Sequence, residues 1–258
     1  MVLEARSAGL SIISVTDHDT IAGVDAAKAA ARDAGVDVIP GIEISAVADG
    51  RDVHVLGYFL EIDAPVLRAF LGRQREDRLR RIMAMRDRLS ALGCPIDADR
   101  ILDAAARGQS VGRPHVAAAL VQAGHVRSRD EAFDRFLKFG APAYVPRSGT
   151  QPADVVRIIH EAAGLASLAH PGLGGRDRYI PALAAAGLDA IEVYHSDHDV
   201  VAETRYRRLA DDLGLLAPGG SDFHGDMSHH AARLGDVTLP AQDFERLRLA
   251  ADRRRSRQ

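Results

Sequence analysis

The chain has 258 residues, 47% hydrophobic and 27% charged, with 33 Lys and Arg against 36 Asp and Glu. That composition excludes disorder, a collagen repeat and a coiled coil, and the length suits one α/β barrel or two smaller domains. A net charge of -3 gives no general affinity for nucleic acid, no apolar run reaches the roughly 18 residues that span a bilayer, and a single cysteine, Cys94, provides no disulfide framework. Met1 to Gly9 lacks the cationic start and apolar stretch of a secretory signal, so a cytoplasmic protein is expected. The 11 histidines stand out: with one cysteine, a transition-metal site here must be built from His, Asp and Glu.

Ser11 to Thr16 reads as a buried strand, and Ile21 to Ala34 as a helix entered through Thr20 and left at Gly35. Val36 to Ser45 and Val53 to Leu60 read as the next two strands, and the strand-helix-strand spacing predicts a parallel sheet. From Pro65 to Leu92 the period is helical. Asp99 to Ala106, His115 to Ala123 and Ser128 to Phe139 follow as helices, the last opened by a capping box of Ser128 and Glu131. This long stretch without a strand predicts an inserted helical domain at 63–150, flanked by 1–62 and 151–258 of one α/β domain. Alternation then resumes: a helix from Gln151 to Ala163, a strand at Leu165 to Ala169, a helix around Ile180 to Ala186, and a strand at Ala190 to Tyr194. A helix at Val200 to Leu213, a strand at Leu215 to Ala217 and a last helix from Ala241 complete the pattern, with Arg253 to Gln258 as a frayed basic end.

Histidines and acids gather at the predicted strand ends, where active-site loops converge in α/β folds. Asp17, His18 and Asp19 follow the first strand, Glu43 lies near the end of the second and His54 in the third. His170, His195, and Asp222 with His224 follow on later strands. Imidazole mixed with carboxylate suits zinc, manganese or iron, and Glu43 is the natural bridge, because a carboxylate spans two ions where a neutral imidazole does not. Two ions about 3.5 to 4 Å apart can bind a hydroxide, polarise a phosphoryl oxygen and stabilise the leaving oxygen, which is what phosphoester hydrolysis requires. No Gly-rich phosphate loop, Gly-x-Ser-x-Gly elbow or cysteine nucleophile competes with that reading.

Thr-Asp-His-Asp-Thr (16–20), Gly-Ile-Glu-Ile-Ser (41–45), His-Val-Leu-Gly-Tyr (54–58), Gly-Arg-Pro-His (112–115), Ala-His-Pro (169–171) and Gly-Ser-Asp-Phe-His-Gly (220–225) occur in that order. As a set they resemble the polymerase and histidinol phosphatase (PHP) superfamily. Within it they look like the stand-alone branch of RNase AM-type 5'-3' exoribonucleases and related nucleotide phosphatases. The resemblance implies a distorted seven-stranded, TIM-like β/α barrel with an inserted helical domain, holding up to three ions, usually manganese, iron or zinc. Carried over by position, Glu43 would bridge two metals, His54 and His170 would complete the second, Asp222 would bind the first, and His18 and His224 the third. Arg113 and His115 would hold substrate phosphate, and His195 would lie close to the reacting centre. An arginine fork does suit a phosphate, and an imidazole can orient it or protonate a leaving oxygen.

The family opens with a strand ending in Asp-Leu-His-x-His and a Ser-Asp-Gly loop, neither of which occurs in this sequence. The barrel is therefore expected to lack its first strand, with the start of the protein lying upstream. The expected activity is metal-dependent hydrolysis of nucleotides or short 5'-phosphorylated single-stranded RNA, with no membrane association and no obligate protein partner. The alternative is a truncated or degenerate, non-catalytic domain that binds nucleotide or phosphate. His125, His160, His198, His229 and His230 match no motif and read as surface or structural, while Asp17 and Asp19 read as loop caps or ligands. The seven arginines between 73 and 88 read as a solvated helix face, with guidance of an RNA backbone as the other possibility, and the phenylalanines of the insertion read as core.

Overall fold

Residues 1–147, 149–225 and 233–256 are described by a computed structural model. The chain divides into a first unit, Met1–Arg68 with Thr150–Gln258, and a second, Ala69–Gly149.

In the first unit a short helix not foreseen from the sequence, α1 (Val2–Ser7), precedes β1 (Ile12–Val15), α2 (Val24–Ala34) and β2 (Asp37–Ala48). The α2 helix ends where Gly35 adopts a left-handed conformation and returns its N–H to the Ala31 carbonyl. β1 and β2 pair in parallel, as the strand-helix-strand spacing predicts. β2 then turns at Asp49-Gly50, both with positive φ, into β3 (Arg51–Tyr58). Two residues with positive φ make a tight hairpin turn, which joins only antiparallel strands, so the sheet is mixed rather than parallel. β3 is antiparallel to β4 (Leu165–Leu168), which lies parallel to β5 (Ala190–Ile191), giving the order β1-β2-β3-β4-β5. A second sheet pairs β6 (Tyr194–His195) with β7 (Gly219–Gly220). The strand expected at Leu215 to Ala217 is reduced to one bridge from Leu216 to Ala190. Pro218 accepts the Val193 N–H but has none to return, so the ladder breaks and resumes at Gly219.

The two faces of this sheet differ in character. Ile42, Ile44, Val53 and Val55 are fully buried on one face, which packs under α7 (Pro152–Glu161); Gly57 stands on that face, because a Cβ there would meet Ile42 and Ile159. The register places Glu43, Ser45 and His54 on the other. Side chains alternate along a strand, so apolar burial secures the sheet from one side and leaves the opposite side for polar groups.

Helices α8 (Ile180–Ala185), α9 (Val200–Leu213) and α10 (Ala241–Arg255) complete this unit, with a 3-10 segment at Leu173–Tyr179. Leu247 and Ala251 of α10 pack with Phe59 and Leu165. Buried Asp243 of α10 is paired with Arg207 of α9, and Tyr194 donates a 3.1 Å hydrogen bond to the same carboxylate. Of the end expected to fray, Arg253 to Arg255 belong to the helix, where Arg254 pairs with Asp189 and Arg255 donates to the Phe59 carbonyl at 2.9 Å, while Arg257 and Gln258 lie outside the described residues.

The second unit is helical. It contains most of α3 (Pro65–Ala91), then α4 (Asp99–Ala106), α5 (Arg113–Gln122) and α6 (Arg129–Ala132), which runs into a π-helical turn at Phe133–Leu137. Ile82, Met85, Leu89, Val116, Leu120 and Leu137 form its core. Ser128 caps α6 by accepting the Glu131 N–H, but the Glu131 carboxylate returns to the N–H of Arg127 rather than Ser128, so the expected box is displaced by one residue. The arginine run is more than a solvated face. Arg78 donates to the Val111 carbonyl at 3.0 Å, Arg81, which is buried, to that of Val145 at 3.1 Å, and Arg88 to that of Tyr144, so the helix uses these side chains to tie down two loops. Among the described residues no helix is long and apolar enough to cross a membrane.

Candidate metal centre

Glu43 sits at the middle of the polar face with 4% of its surface exposed. Three imidazoles reach its carboxylate from three chain segments. His54 Nδ1, on the neighbouring strand β3, lies 2.7 Å from Oε1; His170 Nε2, just beyond β4, lies 3.3 Å from Oε1; and His18 Nδ1, just beyond β1, lies 3.5 Å from Oε2. Backbone pairing fixes His18 there: a parallel bridge joins it to Glu43, with Asp19 N–H donating to the Glu43 carbonyl at 2.8 Å. Burial alone would raise the Glu43 carboxyl, but hydrogen bonds from His170 and His54 and the nearby His18 hold it well below the usual carboxylate range.

These donors fit a divalent transition ion. His18, Glu43 and His54 each offer a ligand atom, all within 4.8 Å of one another. Ligand atoms about 2.1 Å from a tetrahedral ion lie roughly 3.4 Å apart, close to the 3.5 and 3.3 Å of His18 and His170 from Glu43, while His54 sits at hydrogen-bond distance, 2.7 Å.

The imidazoles continue in a row. Ring centroids are 5.7 Å apart from His224 to His18, 4.9 Å from His18 to His54, 5.3 Å from His54 to His170 and 5.6 Å from His170 to His195. Asp222 lies between His195 and His224, its oxygens 3.6 Å from His195 Nε2 and 3.5 Å from His224 Nδ1. Burial raises the Asp222 carboxyl, but the His195 contact and the charge of His224 outweigh it and the net shift is downward. Burial likewise pushes the fully enclosed His195 down, and Asp222, Glu192 and Asp197 together turn the net shift upward. The structure thus brings together His18, Glu43, His54, His170, His195, Asp222 and His224. Arg113 and His115 lie in the second unit, at the start of α5.

His170 (φ 28°) and Asp222 (φ 50°) occupy the left-handed region, which costs a non-glycine residue about 1–3 kcal/mol and concentrates at functional sites. Three further residues were not singled out from the sequence. The carboxylate of Glu192, 5% exposed, accepts the His170 N–H at 2.7 Å, and burial pushes its pKa up to about 8. Alternation in Ala190-Ile191-Glu192-Val193 is the signal that could have found it, since an acid interrupts an apolar strand. Arg176 donates to His170 Nδ1 at 3.1 Å and to the Asp52 carbonyl at 3.2 Å, which fixes the ring's orientation. Burial, then the carboxylates of Glu192 and Glu43, push the Tyr58 phenol well up, so it stays protonated.

Asp17 lies near enough to His224 for that charge to offset part of its burial, and the other acids and histidines have local partners. Asp19 Oδ1 accepts the Ser45 N–H at 2.8 Å, and the Asp17 carboxylate, raised by burial, lies against Gly23 at the start of α2. His160 pairs with Asp189 at 2.8 Å, His125 contacts the Pro95 carbonyl at 2.8 Å, and buried His198 contacts the Val193 carbonyl at 2.8 Å. His229 and His230 lie outside the described residues.

No family model matches the chain. It is 35% identical over 225 residues to a phosphoribosyl 1,2-cyclic phosphate 1,2-diphosphodiesterase of Eggerthella lenta, covering 86% of each protein. It is 33% identical over 229 residues to a 5'-3' exoribonuclease of Haemophilus influenzae, covering 87% of this chain and 83% of that one. A solved structure from Bifidobacterium adolescentis, named as a candidate metal-dependent phosphoesterase, superposes with a TM-score of 0.85 at 31% identity, over 97% of this chain and 89% of that one. Motif order, an imidazole and carboxylate cluster on one sheet face and these relatives agree: the chain belongs to the PHP superfamily of metal-dependent phosphoesterases, in the stand-alone branch that contains the 5'-3' exoribonucleases.

Proposed function

We propose that this chain hydrolyses phosphoester bonds of nucleotides or short 5'-phosphorylated RNA. The observation that supports this best is the buried Glu43 carboxylate ringed by His18, His54 and His170. Glu43 would be shared between two ions, with His54 and His170 completing the hold on one, Asp222 holding the other, and His18 with His224 serving a third; manganese, iron or zinc would suit this donor set. A bound ion supplies Lewis acidity towards a phosphoryl oxygen and lowers the pKa of water. Arg113, with a planar fork of donors, and His115 bind the substrate phosphate. The Asp197 N–H donates to His195 Nδ1 at 3.1 Å, so the ring proton of neutral His195 sits on Nε2, facing Asp222. From there the ring can donate a hydrogen bond to Asp222 or orient a phosphoryl oxygen. The two sheets are read as parts of the superfamily's distorted barrel, with 63–150 as its inserted helical domain.

The test is hydrolysis by the purified chain, with added manganese, of a 5'-phosphorylated RNA oligomer, AMP and adenosine 3',5'-bisphosphate. Turnover of any of them supports the reading, and the preferred one gives the substrate length. Phosphate binding without turnover of any substrate and without tightly retained ions would instead favour a non-catalytic phosphate-binding domain, against which two or three retained ions per chain would count.

A further inference from the structure

We infer that the second unit carries a nucleobase-stacking platform made of Phe139 and Tyr144, beside the Arg113 cation, so that this unit binds nucleoside phosphates more tightly than base-free sugar phosphates. The inference rests on the phosphoesterase reading and narrows its substrate class. The two named relatives pose the choice: RNA carries a base on every ribose, whereas a phosphoribosyl 1,2-cyclic phosphate has phosphate at the sugar carbon that would bear one.

Phe139 was expected in the core and is 76% exposed, while Phe136, three residues earlier, is 8% exposed. A single exposed phenylalanine carries little information, but this one belongs to a cluster. Its ring lies 5.5 Å from that of Tyr144, tilted by 60°. The Arg113 guanidinium lies 5.6 Å from the Tyr144 ring centroid and 5.9 Å from that of Phe133, within the range of cation–π attraction. An exposed ring, Phe139, beside the half-buried Tyr144 that carries a guanidinium is a combination on which an unstacked base can be held, because every base presents a π-face.

The ledge is held in shape by its own backbone. Ala143 N–H donates to the Phe136 carbonyl at 3.0 Å and Tyr144 N–H to that of Ala141 at 3.0 Å. Arg88 and Arg81 of α3 bind the carbonyls of Tyr144 and Val145. Rings fixed before a ligand arrives spare the ordering entropy that a mobile loop would lose on binding.

Charge complements the rings. Arg113 is the first residue of α5, and its Gly112-Arg113-Pro114-His115 turn lies within the field of Arg78 and Arg129. Burial first, then these two arginines, depress the His115 imidazole. A nucleoside phosphate satisfies both halves of the surface, base on rings and phosphate near cations, whereas a base-free sugar phosphate engages the cations alone.

The chain has no tryptophan, so Phe139→Trp gives a lone fluorescent reporter at the platform. The full chain, freed of metal by chelation so that nothing turns over, is titrated calorimetrically with AMP and ribose 5-phosphate. Stacking of one base predicts that AMP binds roughly 5- to 100-fold more tightly than ribose 5-phosphate. F139A should abolish that ratio while leaving ribose 5-phosphate affinity unchanged, which also shows that the variant is folded. F139W should keep the ratio, and AMP but not ribose 5-phosphate should quench its emission. Equal wild-type affinities, no AMP binding at millimolar concentration, an unchanged ratio in F139A, or unquenched F139W at saturation would each overturn the platform. Turnover of AMP without discrimination sinks only this inference; discrimination without turnover sinks only the enzyme reading.

Discussion

Replacing Glu192 by glutamine tests how the polar face tolerates charge. The side chain is 5% exposed, and burial is the dominant cause that raises its pKa from the ordinary 4.5 to about 8; the charge of His195 and the His170 N–H offset this only in part. The folded chain therefore holds a proton that the unfolded chain loses above pH 4.5. Between pH 4.5 and 8 the native state binds the extra proton, so this group's contribution makes stability fall as pH rises and levels off above 8. At about 1.4 kcal/mol per pH unit, that window sets a ceiling of about 5 kcal/mol. Glutamine can still accept the His170 N–H and never ionises. Urea unfolding of chelator-treated wild type and E192Q at pH 5 and pH 8 isolates the effect, because the histidines that titrate in the same range are common to both. E192Q should match wild type within about 1 kcal/mol at pH 5 and exceed it by several at pH 8. A difference that does not grow with pH, or a variant less stable at pH 8, refutes the claim that burial holds Glu192 protonated.

Glu43→Gln removes the carboxylate on which three imidazoles converge. It should weaken ion retention, measured by elemental analysis after gel filtration, by more than the roughly 10- to 100-fold that loss of an outer-sphere partner costs, and phosphoester turnover should fall with it. Asp243→Ala leaves Arg207 beside Tyr194 without its carboxylate and should cost about 2–4 kcal/mol in urea unfolding, whereas Tyr194→Phe, which removes one hydroxyl, should cost about 1. Gly41→Ala would place a Cβ 2.4 Å from Ser14 Oγ and 3.0 Å from the Val15 carbonyl. Its expected cost is about 1–3 kcal/mol, with faster hydrogen exchange along β1, since the Ser14 and Thr16 side chains must both shift, Ser14 away from the Ile39 carbonyl that it bonds at 3.2 Å.

Particular residues show how far the sequence could be read. Helices α3, α4 and α9 match their expected limits closely, because apolar period and end residues both mark them. The imidazoles that meet Glu43 were legible too: each follows or lies in an apolar run, where a polar residue is conspicuous. What periodicity could not give was strand direction, since the Asp49-Gly50 hairpin looks like any short loop until its φ angles are known. Glu192 is hard to find in the sequence because a single carboxylate in a short apolar run carries less chemical signal than the histidine three residues later. Phe139 was misread because spacing reports which residues share a helical face only while the helix lasts, and the π turn ends at Leu137.

Charge on the polar face ties the site to its proposed chemistry. The imidazole row faces two carboxylates held below their usual range, Glu43 and Asp222, and one held protonated, Glu192. One divalent cation balances the ionised pair. A further cation leaves excess positive charge that costs free energy in a buried site until an anion joins it, which is what a phosphate ester brings. If Glu192 were ionised as well, it would supply the balancing charge itself and reduce the pull on a phosphate. In the metal-free chain, burial of Glu192 beneath the His170 N–H is therefore more than a packing detail: it leaves the face with two ionised carboxylates, Glu43 and Asp222, rather than three.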